Sequence, residues 1–452
     1  MLLFKNGRAE VSIITEVNAV KYVSEAAQIL KKYLEKVSDA QFQVKEEPDV
    51  VEQTIIVGIH TCGVIVQCEL EQLDNDGYMI KAKENMVQIA GRNDRGTLYG
   101  VYGFLKQVCG IRWVTDCDIR IPKLEQCEIE CFEYRFVPKL EYRDVALFEY
   151  TNAEAARANG LNGEFTMMDN KYKITPFAHS VAQFAPVNKY FDEHPEYYPL
   201  INGEREKSYS QLCFSNEELV DVAVSWVLEQ KKEHPECEIF TISQNDGYNW
   251  CECEACMALN EKYDTLGGSM FDFINKVARE VKKYDKDIKI DTLAYLHTRK
   301  PPKDMVMEDN VIVRYCNIET PITKEYSSSE YLNVNNFDKS YNPITCREEL
   351  IKWCSIAKKV FVWEYPQNAA HYHLPIPNIR ILAKNVKTVL ECGAKGVFLN
   401  MAYTGPNSSY GVIKGYVFSN LLWDCEADVD ELVREACDIY YKEASEDIQN
   451  AI

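Results

Sequence analysis

The sequence predicts an α/β protein in which a (β/α)8 TIM barrel follows a small α+β domain. Two observations favour this fold. From Leu140 onward, eight short apolar segments alternate with helical patterns, and both the alternation and the count are typical of a (β/α)8 barrel. Residues 1–135 instead mix strands, a hairpin and two helices. We therefore assign residues 1–135 to an α+β N-terminal domain and residues 136–452 to the barrel with C-terminal helices.

Composition limits the classes of function. The chain has 452 residues, is 46% apolar and carries a net charge of −20. Its length favours more than one domain, and its apolar content supports globular cores. The negative charge disfavours nucleic acid and anionic membranes as partners, because both would be repelled. No apolar run is long enough to cross a bilayer.

The cysteines indicate a reducing environment. There are 17, an odd number without the spacing of a disulfide framework, as expected of buried free thiols. Seven fall in apolar surroundings: Cys62, Cys68, Cys109, Cys213, Cys316, Cys354 and Cys392. The first residues, MLLFKNGRAE, lack the features of a secretory signal. We therefore expect a cytoplasmic protein.

The N-terminal domain begins with a predicted strand at 11–17. A helix is predicted at 18–37, where apolar residues repeat on one face and Asn18 is the expected N-cap. A second helix follows Asp94 and ends at Gly110. The remaining strands are predicted at 41–44, 54–59, and at 77–82 and 86–90, which form a hairpin.

The barrel strands are predicted from short β-favouring runs. They lie at 142–148, 161–167, 177–180, 239–243, 288–295, 311–316, 360–364 and 396–400, and the third has irregular flanks. Helical patterns between them lie at 217–232, 269–284, 347–358 and 379–392. Residues 428–452 are predicted to be helical and either to pack on the barrel or to begin another domain.

Functional residues of a barrel lie at the C-terminal ends of its strands and in the loops that follow. This rule selects Glu149, His179, Asn245, Asp246, Tyr295, His297, Asn317, Glu319, Glu364, Tyr365, Asn400 and Tyr403. Carboxylates among aromatics, with no Ser or Lys in a nucleophile-like setting, favour glycoside hydrolysis, which needs a protonated acid and a second group across the sugar. Trp250, Trp363 and Tyr365 are expected to stack on sugar rings.

Each candidate also has a purely structural interpretation. Asp246 lies in an Asn-Asp-Gly sequence, where an aspartate often only shapes the turn. Glu364 is equally suited to pairing with a buried arginine, and His179 to bonding a backbone carbonyl. Glu319 is a weaker candidate because its surroundings are loop-like. Solvated or loop-fixing roles are expected for His194, His371 and His373.

Three cysteines follow the Asn-Asp-Gly turn at C-x-C-x-x-C spacing, namely Cys251, Cys253 and Cys256. Zinc sites usually have four ligands, and no fourth ligand stands nearby in the sequence. Either the thiols pack beneath the loop and hold its shape, or they bind a metal with a remote ligand. The first interpretation is preferred, so no cofactor and no metal are predicted.

Several motifs resemble known carbohydrate-active proteins. RNDRGTLYGVYGFL with GIRW, within residues 92–113, resembles the small domain that precedes the barrel in α-glucuronidases and β-hexosaminidases. HPEYYPL, QLCFSN, SQNDG with CECEAC, and YVFSNLLWD are similar to a bacterial barrel family known only as a domain of unknown function, DUF4838. Some relatives in that group are endo-β-N-acetylglucosaminidases acting on N-glycans. The resemblance covers nearly the whole chain and implies a glycoside-hydrolase-like protein.

The resemblance also bears on single residues. The α-glucuronidase motif Asp-Ser-Glu-Gly, whose glutamate is the general acid, aligns with Gln-Asn-Asp-Gly here and implies that role for Asp246. β-Hexosaminidases use an Asp-Glu pair, and Asn245 stands where the orienting carboxylate would be. Glu364, Glu319 or Asn245 itself would then orient the substrate. Asn400 stands near a position where relatives tend to carry an acidic residue.

The leading hypothesis is a glycoside hydrolase acting on a neutral or N-acetylated glycan, with a carbohydrate as its partner. Asp246 is the predicted general acid and Glu364 the second catalytic carboxyl. The predicted substrate-binding residues are Asn245, His179, Trp250, Tyr295, Tyr365 and Asn400. Two alternatives stay open: a catalytically silent carbohydrate-binding barrel, favoured by Asn245 and Asn400, and a metal-dependent hydrolase that uses the cysteines.

Overall fold

A computed structural model describes residues 1–48, 53–166, 172–208, 211–328 and 345–452. The chain divides into two units. The first comprises Met1–Glu141, Ala153–Leu161 and Val412–Ile452, and the second Tyr142–Asn152 and Asn162–Gly411. The domain limits inferred from the sequence stay a prediction. Among the described residues, no helix has the length and apolar character of a membrane span.

The strands and helices are numbered in chain order. The strands are β1 (Leu2–Lys5), β2 (Arg8–Ala9), β3 (Val11–Thr15), β4 (Val44–Lys45), β5 (Gln53–Val57), β6 (Tyr78–Ala82), β7 (Met86–Gly91), β8 (Arg112–Trp113), β9 (Ile119–Arg120), β10 (Gln126–Glu128), β11 (Phe132–Phe136), β12 (Tyr142–Ala146), β13 (Ile174–Thr175), β14 (Leu200–Ile201), β15 (Glu204–Arg205), β16 (Ile239–Thr241), β17 (Lys289–Ala294), β18 (Val311–Cys316), β19 (Lys359–Glu364) and β20 (Gly396–Asn400). The α-helices are α1 (Lys21–Ser38), α2 (Gln67–Leu70), α3 (Asp94–Val108), α4 (Glu154–Ala158), α5 (Val181–Phe184), α6 (Val187–Tyr190), α7 (Glu218–Glu233), α8 (Glu254–Lys262), α9 (Gly268–Tyr284), α10 (Cys346–Ile356), α11 (Ile379–Glu391), α12 (Gly411–Trp423), α13 (Val429–Tyr440) and α14 (Ser445–Ala451).

The first unit is built on a six-stranded mixed sheet in the order β11-β6-β7-β5-β3-β4. The predicted β6–β7 hairpin and both predicted helices are confirmed. The predicted N-cap of α1 is wrong: the helix begins at Lys21, and Asn18 lies before it with a positive φ of 56°. Asparagine tolerates this left-handed conformation better than most residues, so Asn18 supports a turn. Residues 428–452 are helical as predicted and belong to this unit.

The motif at 92–97 fixes the start of α3. The Asn93 side chain accepts a hydrogen bond of 2.8 Å from the Gly96 N–H and so caps the helix. Arg95 forms a buried ion pair with Asp76, with Nη2 2.8 Å from Oδ1. A Cβ atom at Gly91 would lie 2.2 Å from the Gly96 carbonyl carbon. The helix therefore approaches β7 closely only because this position is glycine.

The second unit is built on seven parallel strands in the order β12-β20-β19-β18-β17-β16-β13. The sheet is curled, because one buried cluster joins side chains from strands far apart in that order, such as Tyr142, Ile239 and Phe361. The predicted strands at 311–316 and 396–400 are confirmed to the residue. The first, fourth, fifth and seventh are confirmed with slightly different ends.

Two predicted strands are wrong. The described part of 161–167 contains no strand, since Glu164–Thr166 is a 3-10 turn, and residue 167 lies outside the described residues. The predicted strand at 177–180 is absent, and β13 occupies Ile174–Thr175 instead. Consequently β12 and β13 are the two edges of the described sheet.

Side chains provide hydrogen bonds where the predicted second strand is missing. The backbone N–H of Arg143 donates to Asn162 Oδ1 at 2.9 Å, and its carbonyl accepts from the Asn162 and Gly163 N–H groups at 2.9 and 3.2 Å. On the other edge, the Ile174 N–H donates to the Glu164 carboxylate. The backbone groups of Arg143 and the Ile174 N–H thus have partners without a regular ladder.

A buried ion pair links the middle of the sheet. Arg314 on β18 donates to Asp291 on β17, with Nη2 2.6 Å from Oδ2 and Nε 2.8 Å from Oδ1. Thr241 on β16 donates to the same carboxylate at 2.7 Å. The guanidinium lies 4.9 Å from the ring centre of Phe177 and 5.1 Å from that of Trp363. Arg314 on β18 therefore links side chains from three other strands, β16, β17 and β19, and one loop.

We expect Arg314→Met to destabilise the protein by about 3–5 kcal/mol, because it leaves the buried Asp291 carboxylate without its positively charged partner. Urea unfolding followed by circular dichroism measures this loss. The control is Arg279→Met, whose exposed pair with Glu308 contributes about 1 kcal/mol or less. Equal losses in both variants would contradict a special role for the buried pair.

Asp144 predicts a dependence of stability on pH. Burial raises its pKa to about 7, against the opposing effect of hydrogen bonds from the Phe165 and Val145 N–H groups. Between about pH 4 and 7 the folded state keeps a proton that the unfolded state has lost. Asp144 therefore stabilises the fold fully at acid pH, and this contribution is lost as the pH rises through 7.

In Asp144→Asn, we expect the unfolding free energy to lose a slope of up to about 1.4 kcal/mol per pH unit in that window. Urea unfolding at several pH values compares the variant with the native protein and with the exposed control Asp221→Asn. If Asp144→Asn and the native protein gave parallel curves, the buried aspartate would not be the titrating group.

Candidate active site

A cavity of about 460 Å³ opens at the C-terminal ends of β17 to β20 in the second unit. That volume lies within the usual range for small-molecule sites. Its polar lining residues are His179, Asp246, Tyr295, Tyr365, Gln367, Asn368 and Asn400, and its apolar ones are Leu293, Cys316, Ile318, Ile322, Trp363, Ala369 and Ile376. The structure thus brings six residues with predicted functional roles together: His179, Asp246, Tyr295, Trp363, Tyr365 and Asn400.

Asp246 is held at the cavity by a buried amide that sequence reasoning missed. Gln211 accepts from the Asn245 N–H at 3.1 Å and donates to the carbonyls of Asn245 and Gly247 at 2.9 and 3.2 Å. The turn after β16 is therefore fixed on both sides of Asp246, while the carboxylate itself is exposed. The only sequence signal was the QLCFSN motif, which carries no periodic pattern.

Tyr295 donates its phenolic hydrogen to Asp246, with 3.3 Å between the two oxygens. Burial, and then the negative charge of Asp246, raise the pKa of Tyr295. The phenol is therefore neutral and available as a hydrogen-bond donor at the cavity.

His179 adds a second polar group with a defined tautomer. Its Nδ1 lies 2.7 Å from the Gln244 carbonyl oxygen, and its backbone N–H donates to Ser243 Oγ at 2.9 Å. Because a carbonyl oxygen only accepts, Nδ1 carries the proton in this contact and Nε2 of the neutral ring is an acceptor. The backbone-bonding role considered from the sequence is therefore present, and the residue also lines the cavity.

Glu364 lies behind the cavity wall. Its side chain is 7% exposed and does not line the cavity, although Trp363 and Tyr365 on either side do. Glu364 Oε2 accepts from the Tyr326 hydroxyl and from Asn317 Nδ2 at 3.0 Å. Burial raises the pKa of Glu364, and these hydrogen bonds oppose the shift. The group is thus held by protein partners, none of which is an arginine.

Two further predicted substrate-binding residues lie outside the lining. Asn245 is 1% exposed and belongs to the turn that Gln211 holds. The Trp250 ring stacks on His297, with centroids 4.3 Å apart and planes 7° from parallel. One face of the indole is therefore already covered. The sugar-binding roles predicted for Asn245 and Trp250 stay predictions.

Glu319 belongs to a buried ion network. Its carboxylate accepts from Arg299 Nη1 at 2.6 Å, and Arg299 also donates to Glu349 at 2.7 and 2.9 Å. Tyr315 donates to the same Glu349 oxygen at 2.6 Å. This arrangement supports the structural interpretation of Glu319.

The remaining candidates have local partners. Glu149 accepts a hydrogen bond from the Asn407 N–H at 2.9 Å, and Asn317 donates one to Glu364.

The histidines assigned to loops also have neighbours. His194 contacts Glu196 at 3.0 Å and stacks on Tyr197. The His371 and His373 rings pack edge to face with centroids 6.5 Å apart, and Tyr403 packs against Phe165.

The lining of the cavity contains a single carboxylate, Asp246, among the residues that the structure describes. The Trp363 and Tyr365 rings are stacked, with centroids 6.3 Å apart and planes 18° from parallel. The site thus offers one acid or base, one imidazole, two phenols and several amides against an aromatic wall.

A larger and more open depression of about 720 Å³ lies on the first unit. Its lining is mainly the charged face of α1, including Lys32, Glu35 and Lys36. We regard it as a solvated helix face, because it brings no strand ends together.

The cysteines differ in their exposure to solvent. All 17 are free of disulfide bonds, and Cys62 and Cys68 are exposed, so the prediction that they are buried is wrong. Cys251, Cys253 and Cys256 pack together as expected for a scaffold, and Cys213 joins them. None of these four lines the cavity.

Comparison with protein families identifies the chain. Residues 113–452 match the family described as Domain of unknown function (DUF4838). The chain belongs to the DUF4838 family. Residues 5–104 match the glycosyl hydrolase family 67 N-terminus, which confirms the resemblance found for the N-terminal motifs. A comparison with curated protein sequences gives no significant match.

Glycoside hydrolases are among the solved structures similar to this DUF4838 protein. A family GH115 4-O-methyl-α-glucuronidase with specificity for decorated arabinogalactans is 13% identical, with a TM-score of 0.59 over 99% of this chain and 61% of its own. The Flavobacterium johnsoniae chitobiase, of family GH20, is 12% identical (TM-score 0.53; 98% and 70%). The GH84 protein CpGH84D is 10% identical (TM-score 0.51; 99% and 71%). These likenesses show a shared fold, and the chain spans about three fifths of the first structure.

Proposed function

We propose that this DUF4838 protein is a glycoside hydrolase that acts on an N-acetylated glycan, with Asp246 as general acid. The observation that carries the proposal is the cavity at the strand ends, where one carboxylate faces polar donors and an aromatic wall. The fold shared with glycoside hydrolases supports it. We further propose that the curled sheet is a (β/α)8-type barrel in which residues 162–166 replace the second strand.

Asp246 is the one carboxylate in the described cavity lining, and this favours a mechanism in which the substrate itself supplies the nucleophile. Hydrolysis with two protein carboxyls would need a nucleophile or base beside Asp246, and Glu364 lies behind the wall. In substrate-assisted hydrolysis the 2-acetamido group of the sugar supplies the nucleophile. Its carbonyl oxygen bonds to C1 while the glycosidic C–O bond breaks, and Asp246 gives its proton to the departing oxygen. Water then adds to C1, opens the cyclic intermediate and returns a proton to Asp246.

The neighbouring groups have roles that match their chemistry. Tyr295 donates to Asp246 and fixes its orientation. His179 Nε2 is an acceptor for a sugar hydroxyl or for the acetamido N–H, and Asn400 provides an amide at the end of β20. Trp363 and Tyr365 form an apolar surface for a sugar face. Glu364 is then a positioning residue that orders the strand between these two rings.

The second candidate function is glycan binding without hydrolysis. It is favoured by the amides Asn245 and Asn400, which stand where the resemblance led us to expect carboxylates. It shares the cavity and the aromatic wall with the enzyme. The two proposals therefore differ only in turnover.

We expect Asp246→Asn to reduce kcat by about 10²–10⁴-fold, because the amide has no acidic proton for the leaving group. The assay uses chromogenic β-N-acetylglucosaminides and released N-glycans. Because Asp246 is exposed, the unfolding free energy should change by about 0.5 kcal/mol or less. Asp192→Asn, at an exposed surface pair, is the matched control. Unchanged turnover in Asp246→Asn would remove this residue from the mechanism, and binding without product would favour the second candidate.

The nature of the nucleophile predicts a requirement in the substrate. Replacing the 2-acetamido group by a hydroxyl, with the same leaving group, should reduce kcat/KM by about 10³-fold or more, since an oriented intramolecular nucleophile is lost. Steady-state kinetics on the paired glycosides measures this ratio. Comparable turnover of both sugars would show that a protein group attacks C1.

A further inference from the structure

Four cysteines from two separate segments meet in the second unit. Cys213 lies in the segment 211–216, and Cys251, Cys253 and Cys256 follow the turn that carries Asp246. Cys213 Sγ lies 3.6 Å from Cys253 Sγ and 3.9 Å from Cys256 Sγ, and all four sulfurs lie within 4.8 Å of one another. Cys213, Cys251 and Cys256 are buried, and Cys253 is half-buried.

These separations are those of a tetrahedral metal site. A Zn–S distance of about 2.3 Å places the four sulfurs of a tetrahedron about 3.8 Å apart. A disulfide would require two sulfurs to approach to about 2.0 Å. A set of four thiol ligands, without carboxylate or water positions, selects zinc or iron–sulfur chemistry over hard cations. With only four sulfurs at these distances, a single ion is the occupant that fits.

Hydrogen-bond donors surround the sulfurs, as expected if they are thiolates. The Leu200 N–H donates to Cys251 Sγ at 3.3 Å, and the Cys256 N–H donates to Cys253 Sγ at 3.5 Å at the start of α8. The positive charge of Arg205 interacts with Cys213, Cys251 and Cys253. Four thiolates with Zn²⁺ carry a net charge of −2, so a cation and aligned N–H groups stabilise the site.

We propose that Cys213, Cys251, Cys253 and Cys256 bind one Zn²⁺ in a closed structural site. Four protein ligands leave no open position, so the ion is structural and does not activate water. The metal-dependent hydrolase considered from the sequence is therefore not the role of this cluster.

The position of the ion explains what it would stabilise. Gln211, whose amide holds the turn around Asp246, lies two residues before Cys213. Cys251 lies five residues after Asp246 on the other side of the same turn. The ion thus fastens the two segments together, and the turn between β16 and α8 is held at both of its ends.

The test measures metal in the full-length protein produced with zinc supplementation and purified without chelators. We expect one zinc per chain by plasma mass spectrometry. After exchange with Co²⁺, we expect the intense thiolate-to-cobalt charge-transfer bands and the d–d bands of a tetrahedral four-sulfur site. Cys213→Ser and Cys253→Ser should lose the ion. Cys354→Ser, half-buried in the same unit like Cys253, should retain it.

Three results would overturn the proposal: less than stoichiometric zinc in the native protein, a disulfide among the four cysteines in the denatured intact mass, or full zinc occupancy in both serine variants. If the serine variants fail to fold, the proposal is still tested by the cobalt spectrum of the native protein, because that spectrum reports the number of sulfur ligands. The glycosidase proposal is independent of these outcomes, since it is tested at Asp246.

Discussion

The buried pair of Arg314 and Asp291 is the interaction on which the second unit depends. The arginine lies inside the curled sheet, where it joins β16, β17 and β18 through hydrogen bonds and β19 through the Trp363 ring. A charge in this position tolerates little displacement, because its partners are fixed on different strands. Trp363, whose ring packs on the arginine, also lines the cavity. The position of this lining residue therefore depends on a buried charge as well as on apolar packing.

The sequence predicted most of this sheet because short runs rich in β-branched and aromatic residues end at polar or turn-forming residues. β18, which stops before Asn317, and β20, which stops at Asn400, agree to the residue. The prediction failed where side chains replace the ladder. The apolar residues of 161–167 suggested a strand, but Asn162 and Glu164 satisfy the neighbouring strand edges from an irregular backbone. Likewise, Phe177 packs its ring on Arg314 and offers the arginine its carbonyl outside a regular strand.

The rule that functional residues lie at the C-terminal ends of strands predicted which residues are near the site, but not which side chains point into the cavity. It brought His179, Asp246, Tyr295, Tyr365 and Asn400 to one cavity. It could not exclude Glu364, because side chains along a strand alternate and only Trp363 and Tyr365 face the cavity. The rule could not predict the contacts of Gln211 and Cys213. Gln211 bonds the turn at Asn245 and Cys213 contacts Cys253, each more than thirty residues away, and no periodic pattern connects these positions. Such long-range contacts are visible only in the folded chain.

The side-chain hydrogen bonds at the outer edges of β12 and β13 have a consequence for how the protein tolerates substitutions. Elsewhere the wall is held by backbone hydrogen bonds, which persist whatever side chains the strands carry. At these two edges, the hydrogen bonds depend on the side chains of Asn162 and Glu164. A single substitution there removes a side-chain hydrogen bond that the backbone does not replace. We therefore expect a substitution of Asn162 or Glu164 to disturb the neighbouring strand edges more than a substitution at a position held by backbone hydrogen bonds alone.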